Sequence, residues 1–167
     1  MNSPQKVLVF GGLTLAAFGM LYGLHYALFV EHQTLDRMGG TLASAFIQTA
    51  DGNFPQGNAA IDSYASIKYD YVRQVDVHSH WIGLAMVLIV LGVIFDHVRF
   101  NLRARLWIAI ALLTGSVIFP LGVVLQTLAH GAFFAVALSV LGSALVTIGL
   151  AATAWGLART TDPAATN

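Results

Sequence analysis

The sequence predicts an all-α integral membrane protein: a four-helix bundle with a large extracytoplasmic loop between its first and second helices. Three observations carry that expectation. Of the 167 residues, 57% belong to the hydrophobic set and only 10% are charged, whereas soluble domains carry roughly 25% charged residues. The mean hydropathy is +0.73, and the apolar residues fall in long runs, as a bilayer demands of helices that each need about 20 apolar residues to cross. The Lys and Arg residues fall unevenly between the two ends of those runs.

The first span is predicted over about 7–30 and is preceded by a segment whose only charge is Lys6. It is longer than the apolar region of a signal peptide and lacks a clear small-x-small cleavage site, so it reads as an uncleaved span. A polar stretch, 31–77, follows. Gly39-Gly40, Gly52-Asn53-Phe54-Pro55 and Gly57-Asn58 are breaker signals there. Leu35, Met38, Leu42 and Phe46 recur at helical spacing, as do Ile61, Tyr64, Ile67, Tyr71 and Val75, so the loop is expected to hold two short surface helices around a Gly/Pro turn.

The second span is expected over about 78–95, and the loop after it carries Arg99, Arg103 and Arg105. The apolar run from Leu106 to Trp155 would measure about 75 Å as one helix, against a hydrocarbon core of about 30 Å. It must therefore divide. Its weakest apolar point is Gln126 to Gly131, which gives spans over about 106–126 and 130–155, the former expected to kink at Pro120. Lys6, the three loop arginines and Arg159 share one side, and Arg37, Lys68 and Arg73 the other. The positive-inside rule makes the first side cytoplasmic and places both termini there. In a bacterium this is an inner-membrane protein whose 31–77 segment faces the periplasm.

Small residues mark the packing faces. Ala135, Gly142, Gly149 and Gly156 repeat every seven residues in the last span, with Gly12, Gly19 and Gly23 in the first and Gly115 and Gly122 in the third. Such seams let helices approach closely in lipid.

Zero net charge and the lack of a basic cluster exclude nucleic acid as a partner. The absence of cysteine excludes disulfides, iron–sulfur clusters and covalent c-type haem. What remains is a set of six histidines. His25 lies late in span one, about 7 to 9 Å below its outer boundary at helical rise. His78 and His80 open span two, and His130 opens span four. An ionisable group within a span is a functional-site hypothesis by default. On a helix His78 and His80 point about 200° apart, so only one can face the core. Gly83, three residues beyond His80 on its face, makes room there for a flat cofactor, which favours His80.

Imidazoles from separate helices in a dry, cysteine-free bundle suit a b-type haem, with two of His25, His80 and His130 axial and Arg73 and Lys68 placed for the propionates. The same set, with His78, suits a copper or zinc ion. A histidine at a membrane boundary can equally be an interfacial polar residue, like Trp81 and Tyr26 beside it.

A His late in span one, the segment Val75-Asp76-Val77-His78-Ser79-His80 opening span two, and a His opening span four together resemble small four-helix membrane cytochromes and fragments of haem-copper oxidase subunit I. The resemblance implies haem b and electron transfer through His25, His80 and His130, with a quinol and other membrane or periplasmic electron-transfer subunits as partners. The chain lacks the many-histidine, twelve-span pattern of a full oxidase, so oxygen reduction is not implied. Two further readings stand beside it: a histidine-ligated copper or zinc metalloenzyme, and a cofactor-free accessory subunit of a larger membrane complex.

Overall fold

The computed structural model describes residues 1–129 and 132–159. It is helical almost throughout: α1 (Ser3–Phe29), α2 (Glu31–Ala50), α3 (Phe54–Ile94), a 3₁₀ turn (Phe95–His97), α4 (Leu102–Leu128) and α5 (Phe133–Ala158). The α1, α4 and α5 helices, and α3 with its 3₁₀ extension, are long and apolar enough to cross a membrane.

The start of α1 is fixed by a reciprocal cap. The Asn2 side chain accepts from the Gln5 backbone N–H, the Gln5 side chain accepts from the Asn2 N–H, and Pro4 occupies the first turn. At the other end a single residue, Val30 (φ −122°, ψ −44°), departs from helical geometry. Its N–H donates to the Tyr26 carbonyl and its carbonyl accepts from Thr34, so α2 begins at once. The only positive φ among the described residues is at Gly52 (+77°), where the chain reverses into α3. Glycine suits that left-handed position because it has no Cβ to clash.

The large loop expected over 31–77 is therefore not present. That segment is α2, a three-residue turn and the first half of α3, which runs unbroken for 41 residues, about 61 Å at helical rise. Polar composition and paired glycines read as breakers, but Gly39 and Gly40 sit inside α2, where each costs only about 1 kcal/mol of helix propensity. Packing outweighs that cost. Along α3 the residues 57, 60, 64, 67, 71, 74, 78, 81, 85, 88 and 92 recur at alternating steps of three and four, and all are buried or half-buried. This one seam meets α2 over its first half and α1 over its second. Gly57 lies against Thr49 and the Ala45 carbonyl, Tyr71 donates to Glu31 at 3.3 Å, and Gly12 lies against Ala85 and Ile89. The first fifty residues and α3 thus form one long antiparallel hairpin. Half of it is too polar to cross a membrane, and because α3 is continuous that half extends the line of the span.

The helices α1, α3 and α4 all touch one another, whereas α5 touches only α4 and the 3₁₀ turn among the described residues. The expected bundle is open on one side, with α5 laid along the flank of α4. Backbone closeness makes that contact: a Cβ at Gly115 would stand 2.7 Å from the Gly142 carbonyl, and one at Gly149 2.7 Å from Leu112. Pro120 is buried within an uninterrupted α4. The start of α1 and the last turn of α5 meet the α3–α4 connection, where the Arg99 N–H donates to the Gly156 carbonyl at 3.0 Å and the Asn2 side chain to Asp96. Asn101 caps α4 by accepting from the Ala104 N–H at 2.8 Å.

Candidate functional site: a polar layer above an apolar cleft

Toward the end from which the polar hairpin projects, the apolar core gives way to a layer of hydrogen-bonded side chains. Tyr22 of α1 donates to the side-chain Oε1 of Gln74 on α3, and the Gln74 Nε2 donates to the Thr127 hydroxyl of α4 at 3.0 Å. One relay ties three helices. Nearby, the Gln126 amide donates to Ser139 of α5 at 2.8 Å, and the ring of buried Tyr26 lies 6.5 Å from that of Tyr71.

His78 belongs to this layer. Its Nδ1 stands 2.9 Å from the Gly19 carbonyl, and because a carbonyl only accepts, Nδ1 carries the proton. A Cβ at Gly23 would overlap the imidazole, so Gly23 is what admits the ring against α1, while Gly19 lies against Trp81 and Ile82. The sequence signal for this contact was the α3 heptad itself, in which His78 falls between Gln74 and Trp81. His80, about 200° round the helix, faces α4, with its ring 4.7 Å from that of Phe119. The space beside Gly83 is open: a Cβ there would meet nothing within 4 Å.

His25 is exposed, with its ring 5.5 Å from that of Phe29. His130 lies outside the described residues. Lys68 and Arg73 line one shallow groove on α3, Lys68 with its Nζ 5.9 Å above the Tyr64 ring and Arg73 with its Cζ 5.1 Å above the Tyr69 ring. Among the described residues no three His or acidic side chains gather closely enough to hold a metal ion. His25 and His80 lie beside different aromatic residues, Phe29 on α1 and Phe119 on α4.

Below the layer, an apolar cleft of about 520 Å³ opens between α1 and α4. Phe10, Gly11, Thr14 and Phe18 form one wall, Leu113, Val117 and Leu121 the other, and Trp81 of α3 the floor. Trp81 is 2% exposed. Phe18 and Tyr22 pack against it edge to face, at 4.8 and 5.2 Å between ring centroids. Its indole N–H is buried without a hydrogen-bond partner, an unusual cost for a donor that normally finds one. Gly11, Phe18 and His25 are spaced by sevens, so His25 stands on the cleft-facing strip of α1 just beyond the cleft's end.

Comparison of the chain with family profiles, with curated proteins and with solved structures finds no match.

Proposed function

We propose that the chain is a membrane subunit of an electron-transfer assembly that takes a quinol-class amphiphile into the α1/α4 cleft. The observation that carries the proposal is the cleft itself: an apolar slot of about 520 Å³ between α1 and α4, ending beside a hydrogen-bonded polar layer. A long apolar tail would match Phe10, Leu113 and Val117, and a head group with carbonyl or hydroxyl oxygens would meet Tyr22, Gln74 and Thr127 beside Trp81. His25 stands beyond them as an imidazole able to hold or exchange a proton. Both termini are cytoplasmic in this reading, and the hairpin stands in the periplasm.

The test is extraction of the protein purified in mild detergent, followed by mass spectrometry of the lipid fraction. Near-stoichiometric isoprenoid quinone is expected, lost when Val117→Phe fills the cleft. Only bulk phospholipid in both proteins would overturn the proposal.

Haem b remains a proposal for the histidines, through His130 paired with His25 or His80. Such a group would supply the one-electron chemistry that this chain's own residues lack, and its visible spectrum tests it.

A further inference from the structure

The projecting hairpin of α2 and the first half of α3 is amphipathic as a unit. In heptad terms its a and d positions form the internal seam, through Glu31, Thr34, Met38, Thr41, Ala45 and Gln48 of α2 against the α3 seam. In an antiparallel pair the e positions of both helices flank the seam on one side and the g positions on the other. The e positions hold Leu35, Leu42 and Thr49 of α2 and Phe54, Ile61, Lys68 and Val75 of α3, and Phe46 and Val72 stand at b positions on the same side. Leu35, Leu42, Phe46, Phe54, Ile61 and Val72 are each between 40% and 70% exposed, and Lys68 is the one charged residue among them. The g side carries Arg37, Ser44, Gln56, Ser63, Asp70 and Arg73. Neither α4 nor α5 reaches α2.

We propose that this e face is covered by the same face of a second copy of the chain, so that two hairpins close into an extramembrane four-helix bundle. Exposed apolar residues that extend from the seam to one flank are the pattern of a helix with two neighbours in a bundle, whereas a lone pair of helices needs only its a and d seam. Each hairpin therefore lacks two helices, the number a twofold mate supplies.

The geometry is self-consistent. Two copies in one membrane with one topology can be related only by a twofold axis along the membrane normal, which runs parallel to the hairpin. That operation sets α2 beside α3 of the second copy, antiparallel and at matched height. Within a chain Ala45 and Thr49 meet Gly57, and Glu31 meets Tyr71, so Leu42 stands level with Ile61 and would face Ile61 of the second copy. All four neighbouring pairs are antiparallel, as in up-down-up-down bundles.

Area agrees too. At roughly 150–200 Å² for a fully exposed side chain of this size, the six residues leave about 600 Å² per copy, so pairing covers about 1,200 Å², the lower bound for specific interfaces. Gly39 occupies a b position on the apolar side, in mid-helix, where a helix closing on this face would meet it; within the single chain a Cβ there, like one at Gly40, would meet nothing within 4 Å. This inference stands apart from the cleft reading and survives its failure.

The chain contains no cysteine, so introduced pairs report unambiguously. Full-length Leu42→Cys and Ile61→Cys proteins, mixed in mild detergent and oxidised, are expected to give a disulfide-linked heterodimer, while Ser44→Cys mixed with Ser63→Cys on the opposite face stays monomeric. By light scattering, Gly39→Ala is expected to weaken self-association by about tenfold or more, and Gly40→Ala, which points away from the face, to leave it unchanged. Equal cross-linking from both faces, or a monomer at every concentration with helicity intact, would overturn the proposal and leave the face to lipid or to another protein.

Discussion

His78 of α3 donates its Nδ1 proton to the carbonyl of Gly19 on α1, at 2.9 Å, and the ring occupies the space that a side chain at Gly23 would need. A histidine thus serves as a packing element in an apolar helix pair, and the absence of a Cβ two turns from the end of α1 is what admits it. Gly23→Ala should destabilise the protein by about 1–3 kcal/mol, the usual cost of forcing volume into a packed contact. Thermal unfolding in detergent measures it. Because the overlap is with the His78 ring, His78→Ala placed in the Gly23→Ala background should recover part of the loss, and a double-mutant cycle isolates the coupling. Purely additive effects would show that the two residues do not share that space.

Residues 31–50 form one helix through Gly39-Gly40. Hydrogen exchange there should be slowed throughout by the backbone ladder, and also at Asp51, Gly52 and Asn53, whose N–H groups donate to the Ile47, Thr49 and Gln48 carbonyls. Exchange at Leu35 to Phe46 as rapid as in an unfolded peptide would restore the loop.

Orientation rests on the arginines. With Arg99, Arg103 and Arg105 cytoplasmic, a cysteine at Asn53 should react with membrane-impermeant reagent added to spheroplasts, and one at Asn101 only after the membrane is opened. The reverse pattern would place the hairpin in the cytoplasm.

The histidines are tested by colour. If His130 pairs with His25 or His80 about a haem, the purified protein shows a Soret band. Replacing the paired ligand by alanine should abolish or shift that band, whereas His97→Ala and His32→Ala should leave it unchanged. Colourless protein without stoichiometric metal would remove both the haem and the metal readings.

The spans were legible because a bilayer selects on average apolarity, and no other solvent tolerates runs such as Leu106 to Trp155. The packing faces through Gly115 and Gly122 and through Gly142, Gly149 and Gly156 were legible for a related reason: small residues at sevenfold spacing have few other uses in lipid. The hairpin was legible in part: the recurrences Leu35, Met38, Leu42, Phe46 and Ile61, Tyr64, Ile67, Tyr71, Val75 marked two helices around a Gly/Pro turn, as α2 and the first half of α3 are. What was not legible is that the second runs without a break into the span, because a seam that includes Gly57, Ala60 and Gln74 is too mixed in polarity to be told from a loop segment. Geometry alone separated His78 from His80, but which of them met α1 depended on the register of α1 against α3, which only the folded pair fixes. The cleft left almost no trace in sequence. It arises where Phe18, Trp81 and Leu121, ordinary apolar residues on three helices, fail to close on one another.

Whether that cleft holds a quinol-class ligand is decided most directly by the fluorescence of Trp81. Trp107 and Trp155 are 70% and 67% exposed and Trp81 only 2%, so a Trp107→Phe/Trp155→Phe protein reports from the cleft floor alone. Titration of that protein in detergent with a short-chain ubiquinone should give saturable quenching that Val117→Phe abolishes. Quenching that rises linearly without saturation, and equally in the Val117→Phe protein, would contradict a site in the cleft.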